Sequence, residues 1–188
     1  MKIDFLGYHG TNQKSFHFIQ KNGFKKKVSD ISFPNDLGDG IYFYIDRGVA
    51  NSEAIENARK YVKKYKYDYN GKIVLEVPIC VEENKVLDFN DKDTSQSLEC
   101  FINENREKID EELNKYSRLS AVFKRGNFDG IAIELYIDYF EANVDLVIKD
   151  TFTKFDDYKT SNFCNGREVC VRNMEAISIS EITYKTVF

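Results

Sequence analysis

Nothing in this chain divides it. Its 188 residues contain only two prolines, Pro34 and Pro78, and no internal repeat, low-complexity tract or Pro/Gly/Ser-rich linker. One continuous run of elements must therefore close around one core, and residues 1–188 are expected to form a single domain. A chain of this length can enclose a sizeable core but is too short for two ordinary domains.

Hydrophobic periodicity then sets the order of elements. Residues 2–8 read as a strand, and a short helix follows from Asn12 to Asn22, with Phe16 and Ile19 on one face and Gly23 as its stop. Residues 25–39 read as a polar loop, and Ile41–Ile45 as a brief apolar strand. Ser52 is a plausible N-cap for a helix to about Tyr67, with Glu53 and Glu56 in its first turns and Lys63, Lys64 and Lys66 in its last. Lys72–Val81 is a strong strand and Lys85–Phe89 a short one. A long helical stretch is predicted over 95–124, broken near Asn103–Asn105 and stopped by Gly126. Strands are expected at Gly130–Leu135, Leu146–Phe152, Glu168–Asn173 and Ala176–Thr186. Helices early and strands late make an α+β layout with mostly antiparallel pairing.

Composition narrows the function classes. Apolar residues make up 42% and charged residues 31%, the balance of a soluble globular protein. The net charge of −4 argues against a chain that coats nucleic acid over its whole surface. Local exceptions are the lysines of Lys21–Lys27 and the segment Arg59–Lys66, where basic residues interleave with Tyr61 and Tyr65. Such interleaving can grip a strand of nucleic acid, but a solvated helix face is the plainer reading. The four cysteines form no C-x-x-C pair and only two histidines exist, so no metal site is expected. Cys80 and Cys170 fall inside apparent strands and read as small buried hydrophobes. The N-terminus lacks the apolar core and cleavage site of a secretory signal, and no stretch approaches the length of a membrane span. The expected compartment is a reducing cytoplasm.

Three short segments carry the chemistry: Tyr8-His9-Gly10-Thr11, Gly38-Asp39-Gly40-Ile41-Tyr42-Phe43, and Gly166-Arg167-Glu168-Val169-Cys170-Val171. In this order, spread over nearly the whole chain, they resemble the pattern of the poly(ADP-ribose) polymerase and diphtheria-toxin-like ADP-ribosyltransferases. In that superfamily a His-Gly-Ser/Thr, a Gly-x-Gly-Ile-Tyr-Phe and a glutamate opening a late strand follow one another. The resemblance implies an ADP-ribosyltransferase-like fold of two mostly antiparallel sheets packed with flanking helices. It also implies NAD⁺ as co-substrate, with no bound prosthetic group.

By that resemblance His9, Tyr42 and Glu168 are the signature residues. His9 would hydrogen-bond a ribose hydroxyl on the adenosine side, with Thr11 adding a contact. Gly10 would bond the nicotinamide carboxamide through its backbone, which only a residue without a side chain lets come so close. Tyr42 would stack on the positively charged nicotinamide ring, and Gly40 belongs to the same NAD-binding set. Tyr61, in Ala58-Arg59-Lys60-Tyr61, stands near the family's second stacking tyrosine, at a spacing lengthened by Asp46–Asn57 and with Ala58 in place of a serine. Plain core packing is its alternative. Glu168 would hydrogen-bond the 2′-hydroxyl of the nicotinamide ribose and set negative charge beside an oxocarbenium-like sugar. Its alternative is an edge-strand glutamate facing water, and Glu134 and Glu175 are weaker candidates. Gly166 stands where the arginine-modifying branch carries a second glutamate, which places the chain outside that branch.

The implied activity is transfer of single ADP-ribose units to a macromolecular acceptor, protein, DNA or RNA, with release of nicotinamide. Bacterial and phage-related members of this superfamily include toxins and defence enzymes, so an inhibitor or antitoxin partner is plausible. Alternatives are an NAD glycohydrolase, with water as acceptor, and an inactive NAD- or ADP-ribose-binding module.

Overall fold

The computed structural model describes residues 1–26, 34–49, 52–115, 127–156 and 163–187. In chain order the elements are β1 (Lys2–Asn12), α1 (Gln13–Asn22), β2 (Ile41–Ile45), α2 (Glu53–Tyr65), β3 (Lys72–Glu82), β4 (Val86–Asp88), α3 (Lys92–Glu104), α4 (Arg106–Lys115), α5 (Asn127–Tyr139), β5 (Leu146–Thr151), β6 (Gly166–Val171) and β7 (Thr183–Thr186). The class is α+β. The strands form one seven-stranded sheet in the order β4-β5-β6-β2-β1-β3-β7, where two sheets were expected. Pairing is antiparallel throughout except for the parallel β4–β5 pair.

Strand alternation distributes the core over two faces. One face carries Phe43, Ile45, Leu75, Val77, Ile148, Val169 and Val171, packed under Phe16 and Ile19 of α1 and under Phe24. The opposite face is covered in two parts. Helix α2 lays Ala54, Ile55 and Ala58 on Tyr8, Tyr44 and Val74. Helices α3, α4 and α5 bring Leu98, Phe101, Ile109 and Ile133 to Val147 and Cys170.

Pairing within the sheet is uneven. Strands β1 and β3 pair along eleven positions, Lys2↔Glu82 to Asn12↔Lys72. Strands β1 and β2 pair only at Tyr8↔Tyr44. Beyond that point the end of β1, from His9 to Asn12, and the start of β2 have no ladder between them.

Two expected strands fold otherwise. Residues 130–135 lie inside helix α5. Their alternation of Ile131, Ile133 and Leu135 reads as a strand, but Ile131, Ala132 and Ile133 are buried in succession. A helix enclosed on most sides loses the polar face that reveals its period. Residues 176–186 are not one strand either: they form short 3₁₀ turns at Met174–Ala176 and Ile179–Glu181 before β7. The cause is register. Ile177 bridges Ile79, and Thr183 pairs with Glu76, so the terminal segment carries more residues than the β3 stretch it crosses. The excess turns outward, and Ser178 N–H donates to the Pro78 carbonyl (3.1 Å). Pro78, which has no N–H to give a ladder, occupies the part of β3 that β7 does not reach.

Smaller differences concern boundaries and caps. The stretch expected from 95 begins at Lys92, where Asp91 accepts from Thr94 N–H, and it breaks at Asn105 between α3 and α4. Its continuation from 116 to the Gly126 stop lies outside the described residues, as does Lys27 in the basic run. Ser52 precedes α2 but makes no side-chain cap bond. Asp46, just after β2, does that work by accepting from Ala54 N–H (3.0 Å).

Candidate functional site

The three sequence segments, far apart along the chain, lie on neighbouring strands. His9, Gly10 and Thr11 are on β1, Tyr42 on β2 and Glu168 on β6, in the spatial order β6-β2-β1. Ladder register sets Glu168 beside Tyr44 and Lys149.

His9 spans the opening between β1 and β2. Its Nδ1–H donates to the Tyr42 carbonyl (2.8 Å), an acceptor that a β1 backbone N–H would take in a continuous ladder. The bond leaves Nε2 as the acceptor nitrogen of a neutral ring. The imidazole rests edge-on to Phe24, ring centres 5.6 Å apart, and against Phe43. Burial lowers its pKa, the Tyr42 carbonyl opposes that shift, and the nearby Lys66 ammonium adds to it. His9 therefore belongs to the α1 face of the sheet, whereas Tyr42, Tyr44 and Glu168 alternate onto the other face.

Tyr42 is engaged within the protein. Its hydroxyl donates to the Gly38 carbonyl (2.9 Å) and accepts from Leu37 N–H (2.8 Å). Burial pushes its pKa far up, so it remains a phenol. The structure brings a different tyrosine to Glu168. The Tyr44 side chain stands beside Glu168 across the ladder, and burial first, then that carboxylate, raise its pKa. The Tyr44 hydroxyl meets Thr153 Oγ1 at 3.1 Å.

Tyr61 faces this group from α2. Its ring centre lies 6.4 Å from that of Tyr44, and Phe155 stands 6.3 Å from Tyr44 on another side. Asn57, one turn earlier on the helix, is buried and donates to the Asn165 carbonyl (2.8 Å). Asn165 in turn clasps the Thr153 backbone, accepting from its N–H (2.9 Å) and donating to its carbonyl (2.8 Å). Helix α2, the approach to β6 and the Thr153 segment are thus tied together around Glu168. Tyr44, Asn57, Thr153 and Asn165 were not singled out from sequence. The alternation of β2 was the available signal for Tyr44, since it shares a face with Tyr42. The others act through tertiary contacts.

The remaining candidates have identifiable surroundings. A side chain at Gly10 would put its Cβ 2.6 Å from the Ala58 carbonyl and 2.8 Å from Val62 Cβ, so the glycine lets α2 pack directly on β1. Gly40 is similarly pressed on β6, at Cys170 Sγ and the Val171 carbonyl. Thr11 is buried, 4% exposed. Glu134 forms a two-pronged ion pair with Arg172 and accepts from Asp39 N–H (2.7 Å). Glu175 is exposed in a 3₁₀ turn. Cys170 is buried, with its thiol pushed up to about 12 by desolvation, while Cys80 is only half-buried. Among the described residues no group of three or more His, Cys, Asp or Glu side chains is placed to hold a metal ion, and no helix is long and apolar enough to cross a membrane. No family model, curated protein or solved structure matches this chain.

Proposed function

We propose that this protein is an NAD-dependent ADP-ribosyltransferase that moves single ADP-ribose units to a macromolecule and releases nicotinamide. The observation that carries the reading is the convergence of three distant motifs on β1, β2 and β6, at the place where β1 and β2 stop pairing. In this reading a flat, elongated ligand meets the edges of both strands there.

In this reading His9 Nε2 accepts from a ribose hydroxyl, a role open to it because Nδ1–H is already committed to Tyr42. Tyr44 and Tyr61 wall the nicotinamide ring, and Tyr42 holds the Leu37–Gly38 turn that opens β2. Glu168 accepts from the 2′-hydroxyl of the nicotinamide ribose. As the glycosidic bond lengthens, positive charge grows on the sugar, and a preorganised carboxylate stabilises it.

Label transfer from NAD⁺ carrying radioactive adenylate phosphate tests the proposal. Wild type is expected to label macromolecules in a cell lysate and to release free nicotinamide. Glu168→Gln should lower turnover roughly 10²-fold or more while retaining NAD⁺ binding. Nicotinamide release without macromolecular label would make the protein a glycohydrolase. Absence of both would overturn the catalytic reading.

A further inference from the structure

We propose, resting on the transferase reading, that the acceptor is a single-stranded nucleic acid lying along the C-terminal half of α2 and the adjoining 152–156 segment. Between positions 59 and 72 the chain carries Arg59, Lys60, Lys63, Lys64, Lys66 and Lys72 against the single acid Asp68; Arg59 pairs with Glu56 one turn earlier, Lys72 donates to the Tyr67 and Tyr69 carbonyls, and Asp156 lies in the adjoining segment. This local charge opposes the −4 of the whole chain.

Aromatic rings accompany these cations. Lys60 lies over Phe155, its Nζ 5.7 Å from the ring centre, and Lys64 over Tyr65 at 5.8 Å. Lys66 lies over Tyr69, also at 5.8 Å. Tyr67 beside them is 81% exposed. Phosphates seek the ammonium groups and unstacked bases seek flat rings, so the patch matches a single strand. A duplex, whose base faces are hidden, would use only the charge.

The patch is joined to the candidate catalytic carboxylate. Tyr44 sits beside Glu168, Tyr61 lies against Tyr44, and Tyr65 is 5.1 Å from Tyr61. The Tyr65 hydroxyl donates to the Lys154 carbonyl (2.7 Å), and the Lys154 side chain is exposed. A strand on the lysines thus passes the outer end of an aromatic row whose inner end is at Glu168. In the transfer the C1′–nicotinamide bond breaks with its electron pair on the nicotinamide nitrogen. A base nitrogen or a hydroxyl or phosphate oxygen of the strand forms the new bond to C1′. Any proton on that nucleophile passes through Glu168 to solvent.

The experiment combines binding and labelling with the full chain. Fluorescein-tagged random 20-mers of RNA, of DNA and of duplex DNA are titrated by anisotropy, and the same oligonucleotides are incubated with radiolabelled NAD⁺. The expected result is preference for single strands. Three phosphate contacts predict about a 20-fold loss of affinity between 50 and 200 mM salt. Lys60→Glu/Lys63→Glu/Lys154→Glu should bind about tenfold or more weakly with a shallower salt dependence, while the matching Arg triple variant, checked by its melting curve, should bind as wild type does. Label on RNA or on DNA names the strand. The proposal is overturned if no strand is bound, if the Glu triple variant binds unchanged, or if bound strands stay unlabelled. Nicotinamide release in the same reactions separates the two levels. Release without a labelled strand removes this acceptor alone, and no release with any acceptor removes the transferase reading and this acceptor with it.

Discussion

A histidine at the end of a strand is commonly a structural residue, and the surroundings of His9 give it both kinds of work. Its Nδ1–H bond to the Tyr42 carbonyl bridges β1 and β2, and its other nitrogen remains an acceptor. Burial favours the neutral ring, so the folded pKa lies below the ordinary 6.5. Unfolded chains then bind a proton before folded ones do. The stability that His9 contributes is complete above pH 6.5 and is lost as pH falls from there through its folded value. NMR titration should place His9 below 6.5, and urea midpoints should drop across that window in wild type. His9→Gln should remove this part of the pH dependence, and a His9 titrating above 6.5 would contradict the neutral assignment. Tyr42 and Tyr44 make the complementary point at this scale. Two residues apart on one face of β2, they differ because a turn captures the hydroxyl of one and Glu168 stands beside the other.

Helix α2 is the element on which the site depends, because it carries Tyr61, Asn57 and the basic face. Sequence set its extent closely, since the apolar positions Ala54, Ile55, Ala58 and Val62 keep helical spacing and all are buried. It did not show how the helix starts. Ser52 stands at the capping position without capping, while Asp46 reaches Ala54 N–H from the end of β2. Asp46→Ala is expected to cost about 0.5–2 kcal/mol, as loss of a helix cap does, and Ser52→Ala less than about 0.5 kcal/mol. Urea unfolding of the two variants checks this, and equal costs would mean that the Asp46 bond is idle. Helix α5 illustrates the opposite case. Its apolar residues alternate as a strand's would, and only its enclosure between the sheet and the α3–α4 pair shows why Ile131, Ala132 and Ile133 are buried in succession.

At the scale of the whole molecule, contacts between distant segments hold the site in place. Glu134 of α5 pairs with Arg172 beyond β6 and accepts from Asp39 N–H in the turn before β2. Gly38 in that turn has φ +90°, and a Cβ there would collide with Glu134 Oε1. A side chain would meet both strain and collision. Glu134→Ala should destabilise the fold by about 2–4 kcal/mol, because Arg172 and Asp39 N–H lose a shared acceptor in a partly buried setting. Glu134→Met/Arg172→Met should recover part of that loss, which a denaturant series on the single and double variants would measure. A single-variant cost under about 1 kcal/mol would show that the pair does not brace the turn. Sequence by itself determined the α+β class, the limits of β2, most of α1 and α2, and the three segments proposed to carry the chemistry. Each of these rests on local information: apolar period, helix stops and short motifs. Tertiary structure decided that seven strands join in one sheet in which β1 and β2 pair only at Tyr8↔Tyr44, that His9 and Glu168 lie on opposite faces, and that Tyr44 rather than Tyr42 stands beside Glu168. These outcomes follow from strand register and from which groups burial leaves to satisfy one another, and neither is written in any short stretch of the chain.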